Sequence, residues 1–446
     1  MSFPRYPKYK DSGVEWLGEV PGHWEVKRLK QTCHVYPSNV DKKSYDGETP
    51  VQLCNYTDVY YNDTILASTD FMVATATEDQ IAKFTLQAGD TIITKDSETA
   101  DDIAIAAYVP ADLPGVVCGY HLSMIRPTKD ANGAFVKRLF DSTYVKSCVA
   151  VRANGLTRVG LGQYEIDNLD LPFPPLPEQT QIAAFLDRET AKIDALVAEQ
   201  RRLMVLLKEK RQAVISHAVT RGLNPDVPMK PSGIEWLGDV PEHWEVLPIK
   251  RIVSVPITDG PHETPSFIDE GVPFVSAEAV SSGCINFLKV RACISEEDNA
   301  RYSLKYAPKL HDIYMVKSGA TTGITAIVED RTDFNIWSPL AAIRCNEDSV
   351  PHFVLNFMRS KHFQEAVTLN WSFGTQQNIG MGVIENLACT VPPVAEQREI
   401  AQTLKNEIAK FETLTTEAQR AIDLLRERRT ALISAAVTGQ IDVRGA

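Results

Sequence analysis

Two stretches of the chain carry apolar residues at helical spacing over an unusual length. From Glu178 to about Arg221 there is no proline or glycine, and strong helix formers dominate. Alternating steps of four and three residues from Ile182 pass through Leu186, Glu189, Ile193, Leu196, Gln200, Leu203, Leu207, Lys210 and Val214. The same steps from Ile400 pass through Leu404, Glu407, Phe411, Leu414, Ala418, Ala421, Leu425, Arg428 and Leu432. Both runs are mostly apolar at a period of about 3.5 residues, the seam of a coiled coil. Their polar interruptions match, Glu189 with Glu407 and Lys210 with Arg428. Polar seam residues cost stability but can fix register and partner. Each run begins with Pro-Pro-x-x-Glu-Gln, which suits a helix start: proline fits the first turn and a carboxylate complements the helix dipole. Before each run lies a body of about 140 residues rich in Val, Ile, Thr and Tyr and punctuated by Gly, Pro, Asn and Asp, a pattern of short strands and turns mixed with a few helices.

The chain is written twice. SGVEWLGEVPGHWEV from Ser12 is answered by SGIEWLGDVPEHWEV from Ser232, so that Trp16 matches Trp236 and Trp24 matches Trp244. PPLPEQTQI from Pro174 is answered by PPVAEQREI from Pro392, and ISHAVTRG from Ile215 by ISAAVTGQ from Ile433. Between these blocks, HLSMIRP from His121 matches PLAAIRC from Pro339, and FVKRLFDS from Phe135 matches FVLNFMRS from Phe353. This is a duplicated domain, too long for a solenoid repeat. The boundaries predicted are a first body over residues 1–175, a first long helix over 176–222, a second body over 223–391 and a second long helix over 392–440. A twofold axis crossing the helices would make them antiparallel and carry the bodies to opposite ends. A helix of about 40 residues would then hold them roughly 60 Å apart. The alternative is two amphipathic helices, each covering its own domain. The fold class expected is α+β: two tandem, strand-rich mixed domains joined by two long antiparallel coiled-coil helices with pseudo-twofold symmetry.

Shared and unshared positions separate along each body. LQAGDTIITK (Leu86 to Lys95) matches KLHDIYMVK (Lys309 to Lys317), which reads as a turn into a buried strand. After that strand the copies diverge: SETADDIAIAAYV follows Lys95 and Asp96, and SGATTGITAIV follows Lys317. RANGLTRVGLG from Arg152 stands where WSFGTQQNIGMG from Trp371 stands in the other copy. Polar, glycine-containing loops on a common scaffold are where specificity is usually carried. Arg can bond guanine twice, and Asn or Gln can bond adenine twice. The candidates for nucleic-acid contact are therefore Lys95, Ser97, Arg152, Asn154, Thr157 and Arg158 in the first copy. In the second they are Lys317, Ser318, Thr321, Thr322, Thr375, Gln376, Gln377 and Asn378, with Lys95 and Lys317 assigned to phosphate. The alternative for each is a solvated loop residue. Trp16, Trp24, Trp236 and Trp244 read as packing anchors, since both copies keep them unchanged.

Composition adds constraints. The 446 residues are 44% hydrophobic and 23% charged, with a formal net charge of −12. That length allows two or three domains. The acidic balance argues against nucleic-acid binding in bulk, although a local basic groove or a basic partner can supply phosphate attraction. No run is long and apolar enough to span a bilayer, and MSFPRYPKYKDSG has no signal-peptide core, so a cytoplasmic protein without membrane contact is expected. The eight cysteines form no C-x-x-C pair and read as reduced, mostly buried thiols, with no metal site. No Walker A loop, H-E-x-x-H or G-x-S-x-G occurs, and GLGQYE and GMGVIE lack the third glycine of a dinucleotide fingerprint. No catalytic residue is assigned.

With these motifs in view, the chain resembles the specificity subunits of type I restriction-modification systems over nearly its whole length. The resemblance rests on G-x-E-W-L-G-x-V-P-x-H-W, P-P-x-x-E-Q and I-S-x-A-V-T, each present twice. It implies that the bodies are target recognition domains, each reading half of a split, asymmetric double-stranded DNA sequence, and that the helices set the spacing. It implies docking of two modification subunits, which bind S-adenosylmethionine and methylate adenine. Through them come restriction (motor-nuclease) subunits using ATP and Mg. This chain would then be non-catalytic and carry no cofactor. Apart from the resemblance, a bivalent scaffold for protein or RNA also fits the duplicated layout.

Overall fold

A computed structural model describes residues 3–281, 283–372 and 377–445 of the chain. By compactness it divides into two units that do not follow chain order. One is Met1–Arg201 together with Gln419–Ala446; the other is Arg202–Ala418. Each unit thus owns one head and half of each long helix.

In the first unit the head is built on a four-stranded antiparallel sheet. Its order is Cys33–Pro37, Leu122–Pro127, Thr91–Thr94, Ala106–Tyr108. Thr91–Thr94 is buried on both faces, which explains its apolar TII run. Gly89, at φ +95, makes the turn into it. A three-stranded sheet stands beside it, with Thr49–Cys54 central, parallel to Val116–Cys118 and antiparallel to Met72–Ala76. The second unit repeats the plan: Thr258–Asp259, Leu340–Ile343, Ile313–Val316, Thr325–Ile327 in one sheet, and Val272–Val275 paired parallel with Asn335–Ile336 in the other. In both, the strand after the tryptophan block pairs with the strand that leads into a long helix. These pairs are Glu25–Arg28 with Asp170–Phe173, and Glu245–Pro248 with Ala388–Val391.

The repeated motifs fold into matching clamps. Gln179 accepts from the Asn132 backbone N–H at 2.8 Å and donates to Asp130 and Pro174 carbonyls. Gln397 does the same with Val350, Asp348 and Pro392. Trp24 and Trp244 are fully buried anchors; Trp16, in contrast, is exposed. Asp90 and Arg126 form a bidentate pair at 2.8 and 2.7 Å, matched by Asp312 and Arg344 at 2.7 Å each. Both aspartates are fully buried. All eight cysteines are free thiols, five of them buried and Cys284 exposed.

The long helices are Leu176–Arg221 and Val394–Val437. Within each unit their segments run antiparallel. In the first, Ile182 and Leu186 share a core with Ile433, Ala436 and Val437, and Asp194 meets Arg429 at 3.0 Å. In the second, Ile215 and Val219 share a core with Ile400 and Leu404, and Arg211 meets Glu412 at 3.4 Å. The buried stripe departs from the heptad. Ile182, Leu186, Ile193, Ile400, Leu404 and Phe411 are buried, and Leu207, Leu425 and Leu432 are half-buried. Leu196, Leu203 and Leu414 are 47, 42 and 46% exposed. The stripe passes instead through Val197, Met204 and Thr415. It recurs every eleven residues, at Ile182, Ile193, Met204 and Ile215, and again at Ile400, Phe411, Ile422 and Ile433.

Candidate nucleic-acid interface

The frame brings together the two loops that differ between copies. In the first unit the segment after Lys95 forms a short antiparallel ladder, Asp96–Ser97 against Val159–Gly160. The Leu161 N–H donates to the Lys95 carbonyl at 2.8 Å. In the second unit Ser318 bridges Asn378, and the Ile379 N–H donates to the Lys317 carbonyl at 2.9 Å. The backbone register is therefore the same in both heads, while the side chains on it differ.

Those side chains sort by burial. Lys95 is half-buried. Its Nζ donates to the Ser38 carbonyl at 2.8 Å and sits 4.5 Å from the centre of the Tyr120 ring. Burial lowers its pKa. It is thus held by the protein instead of standing free for phosphate. Ser97 is buried, as is Thr322, whose hydroxyl donates to the Gly319 carbonyl at 2.7 Å. Lys317 is nearly buried and meets Asp259 at 3.1 Å. Arg152 turns toward Glu165, and its carbonyl accepts from the Asn154 side chain at 2.8 Å. These five positions, with half-buried Ser318, form the base of the loops. Exposed on top are Asn154, Thr157 and Arg158 in the first unit, and Thr321, Gln377 and Asn378 in the second. Thr375 and Gln376 lie outside the described residues.

Two electrostatic anchors organise these surfaces, and the sequence had flagged neither. In the first head Asp96 accepts from His121 at 2.6 Å and from Arg158 at 3.0 Å. Next to it a cleft of about 280 Å³ is lined by Lys42, Asn55, Tyr56, Tyr120 and His121. In the second head Asp259 gathers Lys305 at 2.6 Å, His262 at 3.0 Å and Lys317 at 3.1 Å. Burial would raise the Asp259 carboxyl, but its bonds to Lys305 and Lys317 outweigh that and hold it below the usual value. Lys95 and Lys317 each reach back across the sheet, toward Ser38 and Asp259 respectively. The first surface therefore offers an Arg, a His and tyrosine rings. The second offers amides and hydroxyls above a cationic cluster. Both sets suit hydrogen bonding to base edges, and they suit different bases. Among the described residues, no group of three or more His, Cys, Asp or Glu stands close enough to hold a metal ion.

Comparison with known proteins gives a consistent result. The family model for the type I restriction modification DNA specificity domain matches twice, over residues 21–202 and 241–422. The putative type I restriction enzyme MjaX specificity subunit of Methanocaldococcus jannaschii is 22% identical over 440 residues, 96% of each chain. The type I restriction enzyme EcoKI specificity subunit of Escherichia coli K12 is 24% identical over 335 residues, 73% of this chain and 68% of that one. In fold, the chain is similar to one from a structural study of complex assembly and conformational transition of the type I R-M system. The TM-score is 0.72 at 18% identity, over 94% of this chain and 98% of that one. It is also similar to the HsdS subunit from Thermoanaerobacter tengcongensis, with TM-score 0.55 at 17% identity, over 95% and 98% of the two chains.

Proposed function

The chain belongs to the type I restriction-modification DNA specificity family, and from that premise we propose that each of its units reads one half of a bipartite, asymmetric double-stranded DNA target. The observation that carries this reading is the shared backbone register under unlike side chains. Leu161 to Lys95 and Ile379 to Lys317 make the same bond, yet one loop presents Arg158 and Asn154 and the other presents Gln377 and Asn378. A common frame with two unlike readers specifies an asymmetric sequence, and the long helices set the gap between its halves.

The frame also supports two equivalent docking faces. The exposed leucines of the long helices include Leu196 and Leu424 in the first unit and Leu414 and Leu206 in the second, beside Leu176 and Leu203. Leu196 and Leu414 occupy matching repeat positions, as do Leu206 and Leu424. We take these matched exposed leucines as part of a surface that a partner covers. In this reading two copies of one adenine-methylating modification subunit dock there, bringing S-adenosylmethionine, and restriction subunits join with ATP and Mg. This chain supplies recognition and no catalytic step, and it works in the cytoplasm, where its DNA is. Among the described residues no helix is long and apolar enough to cross a membrane. The net charge of −12 makes basic partner surfaces the source of much phosphate attraction. Exchanging residues 31–170 for the matching part of another family member tests the modular reading. In cells carrying the assembled complex, mapping of methylated adenines will show one half of the target changed and the other kept. A change in both halves, or in neither, would refute it.

A further inference from the structure

The loop after Arg152 in the first unit ends in an apolar point. Leu156 is wholly exposed, more so than any other large apolar residue among the described residues. Turn tips ordinarily carry glycine or polar residues, and a leucine there gains nothing from folding. This one is held out on a stiff stem. Asn154 and Gly160 exchange backbone bonds, the Asn154 N–H donating at 3.1 Å and the Gly160 N–H at 2.9 Å. The Asn154 side chain donates to the Arg152 carbonyl at 2.8 Å, and Val159–Gly160 is laddered to Asp96–Ser97. Gly155 lies so close to the Arg158 carbonyl that a Cβ there would collide with it, so only glycine allows a turn this tight. Arg158 is pinned in turn, to Asp96 at 3.0 Å.

The neighbours of that point indicate what it meets. Asn154, Thr157 and Arg158 are exposed beside it along the chain. Asp96 also holds His121, and Tyr56 is hydrogen-bonded to Ser97 at the root of the same ladder. Such groups suit phosphates and base edges. The core of a protein interface is a broader apolar patch, whereas Leu156 is a single side chain rimmed by polar groups. A lone leucine at the front of such a surface matches the apolar wedges that some DNA-binding proteins insert between base pairs, partly unstacking them and kinking the duplex. Ser372 pairs with Asn378 as Asn154 pairs with Gly160, so the repeat sets Gly374 against Leu156. The leucine therefore belongs to the first copy alone.

We propose that Leu156 is an intercalating wedge, entering between two base pairs of the half-site read by the first unit and unstacking that step. The inference rests on the proposed reading of this unit as a DNA reader and adds selection by deformability to it. Pyrimidine–purine steps unstack at the lowest cost, so the half-site holds one where Leu156 enters.

The test uses the assembled complex and a duplex carrying the target mapped by adenine methylation. In the half that exchange of residues 31–170 changes, 2-aminopurine replaces the purines one at a time, the methylated adenine excepted, and its fluorescence reports unstacking. With the wild-type chain one position brightens on binding. Leu156→Ala removes that rise and weakens binding roughly tenfold, while methylation still maps to the same sequence. Leu156→Met keeps both the rise and the affinity, since methionine also serves as a wedge. Because Leu156 is wholly exposed, circular dichroism and subunit assembly stay unchanged in both variants. A wild-type complex that does not prefer the mapped target to a scrambled duplex overturns the DNA reading of this unit, and the wedge with it. Preference without any brightening overturns the wedge alone, as does brightening and affinity undiminished in Leu156→Ala. Loss of subunit assembly in Leu156→Ala also overturns it, by assigning the leucine to a protein partner.

Discussion

The glutamate of the Pro-Pro-x-x-Glu-Gln motif occurs in both units, yet its removal will cost very different amounts. In the first unit the Glu178 side chain is 7% exposed. It accepts from the Tyr6 hydroxyl at 2.7 Å, the Trp24 Nε1 at 3.0 Å and the His23 ring at 2.7 Å. Burial, with the bond to Glu178 and its negative charge adding to it, pushes the Tyr6 hydroxyl's pKa well up. Glu178→Ala deletes three charge-assisted bonds and leaves two buried donors, on Tyr6 and Trp24, unsatisfied. Each orphan costs about 1–3 kcal/mol, so the total is about 3–5 kcal/mol. In the second unit the Glu396 side chain is 27% exposed and meets His243 at 2.8 Å. The Trp244 Nε1 has no partner to lose. Glu396→Ala therefore costs about 1 kcal/mol or less, in the range of an exposed pair. Besides the Trp24 bond, the difference comes from Tyr6, whose place in the second repeat is held by Asp226. Urea unfolding followed by tryptophan fluorescence reads both variants, because Trp24 and Trp244 each sit in the core of their own unit. For units of this size about 1 kcal/mol moves the thermal midpoint about 2–4 °C, so Glu178→Ala should also lower the first unit's transition by about 6 °C or more. Equal losses in the two variants, or a larger loss for Glu396→Ala, would show that the tryptophan clamp does not depend on these bonds.

Three further outcomes are expected. Val197→Asn, at a position 8% exposed, will destabilise by about 2–3 kcal/mol, while Leu196→Asn, at 47% exposed, will stay within about 0.5 kcal/mol in thermal unfolding; the reverse order would restore the heptad seam. Arg344→Met strips the bidentate partner from fully buried Asp312 and should cost about 3–5 kcal/mol in the same assay. Acid should destabilise the first unit through Asp63. Burial acts to raise Asp63, but Lys137 and Arg429 outweigh it and hold its pKa at about 2, below the usual 3.8. A depressed carboxylate contributes fully above its unfolded pKa and loses that contribution as pH falls through the folded one. Unfolding midpoints of wild type should fall between about pH 4 and pH 2 more steeply than those of Asp63→Asn, and parallel curves would remove Asp63 from the account.

Much of the scaffold was legible because duplication marks what the frame needs. Gln179 and Gln397 do the same work with the same backbone partners, so their repetition was a structural signal. The recognition surfaces were less legible, since burial is decided by strands far apart in sequence. Ser97 and Thr322 are polar loop residues by composition, yet both are buried beneath their loops. Lys95 is spoken for by a carbonyl at Ser38, and Lys317 by a carboxylate at Asp259, neither of which local pattern indicates. The His121 and Asp96 pair joins residues from a matched block and a divergent loop, so neither half of that signal stands out alone.

The helical seam shows how a correct element can be read one residue off its buried stripe over part of its length. Counting in sevens from Ile182 assumes about 3.5 residues per turn, but the buried positions recur every eleven, close to 3.67 per turn. The two counts agree at Ile193, part by one residue at Val197 and stay parted at Met204. Leucine abundance hides the slip, because a leucine lies one place from the true seam at Leu196, Leu203 and Leu414. A heptad forces left-handed supercoiling, whereas an eleven-residue repeat relieves it or reverses it slightly. The leucines displaced from the seam, Leu196, Leu203 and Leu414, are left 42 to 47% exposed. Leu196 and Leu414, which stand at matching repeat positions, fit the proposed reading in which the same kind of partner is met twice.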